Sequence, residues 1–100
     1  MAHLRRLVHV MGHLHLATRI LVLLEQHQQL PYDEVAAELG EPAHLVREAL
    51  SRLRGIGFVD VVAVGELEAH VTRPSARWRL TDQGREKLAH LRTSGRVPGA

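Results

Sequence analysis

Residues 30–59 read LPYDEVAAELGEPAHLVREALSRLRGIGFV, and this stretch decides the predicted fold. Its first part predicts a short helix over 32–39, with two acids in the first turn, where they favour the helix dipole. Residues 40–42, Gly-Glu-Pro, predict a sharp turn, because glycine ends a helix abruptly and proline suits the first position of the next one. The second helix is predicted over 42–54, and the glycines that follow it are expected to stop it.

This second helix carries apolar residues at positions i, i+3, i+4 and i+7, which predicts one buried face. The inward-facing residues are Val46, Ala49, Leu50 and Leu53. Two helices held at a steep angle by a tight glycine-containing turn make a helix-turn-helix unit. The second helix of such a unit can enter the DNA major groove.

The sequence on either side of this stretch predicts further elements. The helical spacing of apolar residues predicts an amphipathic helix over 3–28, which we expect to kink or break near Gly12. β-prone residues at 58–64 and 76–80 predict a hairpin, and the long connection has room for a short strand at 67–72.

The last predicted element is a helix that Thr81 caps and that ends at about residue 92. Gly84 is a poor residue for a helical first turn, so we expect its backbone to pack closely against another element. Residues 93–100 are turn-rich and predict a disordered tail. Without a linker or an internal repeat, residues 1–92 are expected to form one domain.

Four segments within residues 15–92 together match a family pattern: ATRILVLLEQ, EVAAELG, LVREALSRLRGIGFV and ARWRLTDQGREKL. In this combination the chain resembles the winged helix-turn-helix regulators of the ArsR, MarR and PadR type. The resemblance implies a mainly α fold with a small β-hairpin: a three-helix DNA-binding core, a wing, and N- and C-terminal helices. It also implies a DNA-binding transcriptional regulator, for which repression by promoter occlusion is the simplest expected mechanism. An unrelated three- or four-helix domain with a β-hairpin is the alternative fold.

The charge distribution favours a polyanion as partner. The net charge is only +2, but residues 1–40 hold three arginines and four acids, whereas residues 41–100 hold ten basic and seven acidic residues. Such a basic face is expected of a nucleic-acid-binding protein, although ordinary solvated surface arginines give the same count. Only three residues are aromatic, which disfavours single-strand binding by base stacking. The expected partner is double-stranded DNA.

The predicted DNA contacts lie on the outer face of the second helix and on the hairpin. Arg47 suits a guanine edge because its planar fork donates two hydrogen bonds, and the small Ala43 permits close approach. Arg52 and Arg54 suit phosphates, as do the free N–H groups at the helix start. The predicted set is Ala43, His44, Arg47, Glu48, Ser51, Arg52, Arg54, Arg73, Arg77 and Arg79.

Each of these arginines also has a plainer interpretation. On the helix it is a solvated residue or an i,i+4 partner of Glu48, and on the hairpin its charge blocks edge-to-edge aggregation. Glu66 and Glu68 oppose the basic residues near the loop, which favours Arg73 and Arg77 over the tip. Fold alone does not fix function, so a winged helix that docks proteins without binding DNA is the alternative.

A homodimer is predicted, because the N-terminal apolar face exceeds what a three-helix core can absorb. In the resembled families the first and last helices form a two-fold interface. The resemblance therefore implies Leu4, Leu7, Val8, Met11, Leu88 and Leu91 as interface residues. Such a dimer places two recognition helices about one DNA turn apart on a palindromic site. The alternative is that the N-terminal helix packs on its own domain.

Other functions have little support in the sequence. The absence of cysteine excludes disulfides and thiolate metal sites. His9, His13 and His15 have a spacing that can bind zinc. Some regulators of the resembled ArsR type bind metals through paired histidines on the last helix, which the last predicted helix here lacks, so no metal or cofactor is predicted. No phosphate loop or nucleophile elbow indicates an enzyme. The start lacks a cleavage site and the apolar run 20–24 is too short for a bilayer, so a cytoplasmic protein without membrane contact is expected.

Overall fold

The computed structural model describes residues 15–62 and 76–97. Within these residues the chain forms four helices and a three-stranded antiparallel sheet. The helices are α1 (Leu16–Gln26), α2 (Tyr32–Leu39), α3 (Ala43–Ile56) and α4 (Asp82–Thr93), and the strands are β1 (Leu30–Pro31), β2 (Val59–Val62) and β3 (Arg77–Leu80). This mainly helical architecture with a small sheet is compatible with the winged helix expected from the sequence.

Helix α1 lies at the centre of the core. Its residues 20–24 are all at most 3% exposed, as expected of a helix that other elements surround. Helices α2, α3 and α4 and strand β3 all contact it. The helix predicted over 3–28 is corrected at His15, whose extended backbone (φ −60°, ψ 148°) makes it the residue before the start of α1 at Leu16. The earlier part of that prediction, with its break at Gly12, lies outside the described residues.

Helices α2 and α3 are joined by a turn whose direction depends on Gly40. This glycine has a φ of 67°, in the left-handed region that costs energy for residues with a side chain. The N–H groups of Gly40 and Glu41 donate to the carbonyls of Ala37 and Ala36, at 3.3 and 3.0 Å. These bonds satisfy carbonyls that the end of α2 leaves without intrahelical partners. The predicted sharp turn is confirmed.

Helix α3 begins one residue later and ends two residues later than predicted. Pro42 precedes the helix instead of opening it, and its carbonyl accepts from the N–H groups of Leu45 and Val46. Gly55 does not stop the helix, since a glycine in the last turn costs only about 1 kcal/mol. Gly57 ends it with a φ of 98°.

Strand β3 is the central strand of the sheet, in the order β1-β3-β2. The predicted alternation is confirmed: Trp78 and Leu80 are buried, and Arg77 and Arg79 are exposed. Strand β1, whose Leu30 pairs with Trp78, was not predicted from the sequence. A two-residue strand that contains proline has no alternation to detect. The further strand considered in the long connection lies outside the described residues.

The junction between β3 and α4 follows the prediction for Thr81 and Gly84. The Thr81 hydroxyl oxygen accepts from the Gly84 N–H at 3.0 Å and so caps α4. The same hydroxyl donates to the Gly57 carbonyl at 2.6 Å. A Cβ atom at position 84 would overlap the carbonyl oxygen of Phe58. The close backbone approach expected of Gly84 is confirmed.

The packed domain extends past its predicted end. Val97 is 3% exposed and belongs to the hydrophobic core. Gly95, with a φ of 77°, reverses the chain after α4, and the Arg96 N–H donates to the Leu91 carbonyl at 2.8 Å. The prediction of a disordered tail is therefore corrected for residues 93–97, because burial of one valine ties this turn to the core. The last three residues lie outside the described part.

Candidate nucleic-acid interface

Helix α3 presents one face to solvent and one to the core. Its four inward-facing residues are buried as predicted: Val46, Ala49, Leu50 and Leu53. The predicted DNA contacts lie on the other side of the helix. Ala43, His44, Glu48, Ser51, Arg52 and Arg54 are exposed, and Arg47 is half-buried. The apolar residues thus anchor a helix whose polar residues stay accessible.

Within this exposed face, four residues form the α3 stripe: His44, Arg47, Ser51 and Arg54. At about 3.6 residues per turn, their spacing places them within roughly 80° of one another, along about 15 Å of helix. A helix with such a stripe fits a major groove about 12 Å wide. Arg52 lies outside the stripe, on the flank of the helix.

The start of α3 offers free backbone donors. No side chain caps the helix at Pro42, and Leu45 is the first residue whose N–H bonds to the Pro42 carbonyl. The N–H groups of Ala43 and His44 precede it and have no intrahelical acceptor. The first turn contains no acidic residue. A phosphate at this end meets the positive end of the helix dipole, and the nearby Glu41 carboxylate, which lies before the helix, is paired with Arg19.

The hairpin carries two of the predicted arginines on strand β3, and Arg79 is the one near the end of α3. Arg77 and Arg79 are exposed on the same face of β3. In the pairing of β2 with β3, Val62 lies opposite Arg77 and Asp60 opposite Arg79. Arg73, the third predicted contact of the hairpin, lies outside the described residues.

Asp60, on strand β2, lies between Arg54 in the last turn of α3 and Arg79 on strand β3. Its carboxylate oxygens are 3.9 Å from Nε of Arg54 and 3.9 Å from Nη2 of Arg79. All three side chains are about half exposed, so each pair contributes at most about 1 kcal/mol. No sequence signal distinguishes Asp60. Its place opposite Arg79 follows from strand register, which the sequence left open.

An apolar groove of about 430 Å³ separates the start of α1 from the end of α3. The groove is lined by His15, Leu16, Ala17, Ala49, Arg52, Leu53 and Ile56. Ile56 is 57% exposed there. This surface was not predicted, because the sequence pattern places the end of the helix before Ile56. Arg52, predicted as a phosphate contact, lines this groove.

A buried arginine on α1 reaches the turn before α3. Arg19 donates from Nη1 to the Glu41 carboxylate at 3.0 Å and from Nη2 to the Leu39 carbonyl at 2.8 Å. In the sequence, Arg19 stands out only as a charge that interrupts an apolar run. Its partners lie 22 and 20 residues away in the chain, and no local pattern connects them.

A second arginine–carboxylate pair joins the C-terminal ends of α1 and α4. Both terminal nitrogens of Arg92 donate to the carboxylate of Glu25, one of them at 2.7 Å. The hydrogen bonds from Arg92 lower the pKa of Glu25, against a smaller opposing effect of burial. The same bonds raise the pKa of Arg92. The pair links two helices and contacts neither the turn nor the α3 stripe.

The residues predicted for a dimer interface fall into two groups. Leu4, Leu7, Val8 and Met11 lie outside the described residues. Leu88 is fully buried and Leu91 is 8% exposed, and both belong to the core of their own chain. The prediction is therefore corrected for Leu88 and Leu91, because side chains buried in this way leave almost no surface for a partner.

The structure covers only part of the residues that bear on metal binding and on membrane-spanning helices. His9 and His13 lie outside the described residues. Within 15–62 and 76–97, no three histidine, aspartate or glutamate side chains are grouped closely enough to hold a metal ion. No helix in this part of the chain has both the length and the apolar character needed to span a bilayer.

Comparison with known proteins shows similarity in fold. No family model and no curated protein matches the chain. Its structure is similar to the crystal structure of RV1404 from Mycobacterium tuberculosis, with a TM-score of 0.64 and 22% sequence identity. The match covers 90% of this chain and 58% of that one, so the chain spans a little over half the length of RV1404. At this identity the similarity concerns the fold alone.

Proposed function

We propose that this protein is a winged helix-turn-helix regulator that binds double-stranded DNA. In this proposal α2, the turn and α3 form the helix-turn-helix unit, and the hairpin of β2 and β3 forms the wing. The observation that carries the proposal is the α3 stripe, in which His44, Arg47 and Ser51 project from a helix anchored by buried aliphatic side chains. The exposed Arg77 and Arg79 add positive charge on the hairpin that follows α3.

Each group has a chemical role in this proposal. The guanidinium of Arg47 donates to O6 and N7 of a guanine, and the hydroxyl of Ser51 bonds a base edge. The N–H groups at the start of α3 and the side chains of Arg54, Arg77 and Arg79 hold phosphates, which fix the register without reading sequence. The proposed regulator represses transcription by occluding a promoter, because this mechanism requires no activity other than DNA binding.

Binding as a homodimer belongs to the same proposal. With Leu88 and Leu91 committed to the core, the interface we propose uses the N-terminal residues Leu4, Leu7 and Val8 together with Met11. A two-fold dimer places two copies of α3 about one helical turn apart on the DNA, so its site is an inverted repeat.

Selection of bound duplexes from a random pool tests the proposal. We expect an inverted repeat to emerge. If three arginines of each protomer neutralise phosphates, affinity should fall roughly 40-fold per protomer between about 50 and 200 mM salt. A pool without enrichment, or affinity that does not depend on salt, would contradict the proposal.

Two arginine variants separate base contacts from phosphate contacts. Arg47→Ala should weaken binding to the selected site by about 1–3 kcal/mol and relax the preference at one base pair. Arg77→Ala should weaken all duplexes alike and reduce the salt slope by about one. The control is Arg96→Ala, which removes an exposed arginine from the turn after α4. Equal effects of Arg47→Ala and Arg96→Ala would show that the α3 stripe does not contact the DNA bases.

A winged helix that docks another protein is the second candidate function. The observation that favours it is the apolar groove, where Ile56 is more than half exposed. This candidate predicts weak or absent duplex binding with no steep salt dependence, so the same salt titration separates the two functions.

A further inference from the structure

We infer that Arg19 is a positioning residue that fixes the direction of α3, an inference that rests on the proposed function. The guanidinium holds the turn on both sides of Gly40, through the Leu39 carbonyl at 2.8 Å and the Glu41 carboxylate at 3.0 Å. Helix α3 begins only two residues after Glu41. The buried helix α1 and the start of the proposed recognition helix are therefore connected through one side chain.

Burial makes this connection specific to one position of the turn. The side chain of Arg19 is 9% exposed and that of Glu41 is 30% exposed. Among the described residues, Nε of Arg19 has no hydrogen-bond partner. Compensation of the buried charge therefore depends on the bonds that the two terminal nitrogens make to Leu39 and Glu41. A buried guanidinium that loses its partners is strongly unfavourable. Movement of the turn away from α1 is therefore opposed.

The other bonds of the turn do not have this effect. The N–H groups of Gly40 and Glu41 bond to carbonyls of α2 itself. They shape the turn but do not attach it to α1. A tilt of about 5° at this end moves the far end of a helix about 20 Å long by nearly 2 Å. Such a shift breaks the geometry of hydrogen bonds to base edges.

The test compares Arg19→Met with a matched control, Arg92→Met. The first variant keeps a long apolar side chain and removes both bonds to the turn. The control removes the arginine–carboxylate pair between α1 and α4, which does not contact the turn. For each folded protein, affinity is measured for the selected duplex and for a random duplex, together with the melting temperature.

We expect Arg19→Met to lower the ratio of selected to random affinity about tenfold, the loss of roughly one base-pair contact. Affinity for the random duplex should stay near that of the wild type. Arg92→Met should lower the melting temperature and keep the wild-type ratio. An unchanged ratio in Arg19→Met, or an equal fall in both variants, would overturn the inference.

Two variants of Glu41 keep the test decisive if Arg19→Met does not fold. Glu41→Gln retains an oxygen that can accept from Arg19, so its ratio should stay close to that of the wild type. Glu41→Ala removes the acceptor and should lower the ratio several-fold. If both variants behave alike, the contact between Arg19 and Glu41 does not position α3 and the inference fails.

Hydrogen exchange without DNA separates this inference from the proposed function. In Arg19→Met, or in Glu41→Ala if the former does not fold, the amide protons of Gly40 and Glu41 should exchange faster, while those of α4 should keep their wild-type rates. If the wild type prefers no duplex sequence, the proposed function fails. Locally faster exchange would still support Arg19 as the residue that fixes the turn, and unchanged exchange there would overturn it.

Discussion

Asp60→Asn is expected to destabilise the free protein and to strengthen its binding to DNA. Asp60 is 3.9 Å from both Arg54 and Arg79, which the proposed function assigns to phosphates. In the free protein the carboxylate attracts both guanidinium groups. In the complex it competes with phosphates for them and repels the DNA. Asparagine keeps the shape of the side chain and removes the charge.

The magnitude follows from the distances and the exposure. Two unit charges about 4 Å apart in bulk water attract by about 1 kcal/mol, and exposed pairs measure about 0.2–1 kcal/mol. Loss of both pairs should therefore lower the free energy of unfolding by about 0.4–2 kcal/mol. Each kcal/mol shifts the melting temperature by roughly 4–8 °C in a domain of this size. In the complex, the substitution removes the competition between the carboxylate and the phosphates, which should tighten duplex binding by about threefold to fivefold.

Fluorescence anisotropy with a labelled duplex at fixed salt measures the binding, and a thermal melt measures the stability. Glu25→Gln is the matched control, because it also removes one negative charge that pairs with an arginine, at a site away from the α3 stripe. It should lower the melting temperature without strengthening DNA binding. Duplex affinity of Asp60→Asn at or below the wild-type value would refute the reasoning. An equal gain in the control would assign the effect to net charge alone.

Two further expectations concern stability. Gly84→Ala should destabilise the protein by about 1–3 kcal/mol, because the new Cβ overlaps the Phe58 carbonyl oxygen. Gly55→Ala is the matched control and should stabilise the protein by roughly 0.5–1 kcal/mol, because nothing lies near its Cβ. Thermal melts that rank the two variants the other way would contradict the packing at Gly84. The hydrogen bonds from Arg92 lower the pKa of Glu25 from its ordinary value of 4.5. The ion pair therefore stabilises the fold fully above pH 4.5, and this contribution is lost as the pH falls through the lowered pKa. Acid titration of the unfolding free energy should show wild type and Glu25→Gln converging below pH 4.5, and a constant difference down to strong acid would contradict the pairing.

The helices of the proposed helix-turn-helix unit were predictable because their signals are local. Gly40 supplies the left-handed conformation that the turn requires, and the spacing of Val46, Leu50 and Leu53 sets the buried face of α3. Both signals lie within a few neighbouring residues. The unfavourable placement of Gly84 also indicated a close contact correctly, although the sequence did not identify Phe58 as the neighbour.

Contacts between distant segments could not be predicted in the same way. The bond between Arg19 and Glu41 joins residues 22 positions apart, and the place of Asp60 depends on strand register. For Leu88, the sequence could not indicate which surface covers the side chain. Its apolar character indicated burial, but only the packing of α4 decided that the burial is within one chain.

The sequence by itself determined the bounds of α2, α3 and α4 to within about two residues, which faces are apolar, and which residues on α3 are polar. These properties depend on backbone conformation and side-chain periodicity, which act over a few residues. The tertiary structure alone decided that Arg19 holds the turn, that Asp60 lies between two arginines, and that Val97 and Leu88 complete the core. Those outcomes depend on which surfaces meet when the chain folds, and burial and charge pairing act only between groups that folding has brought together.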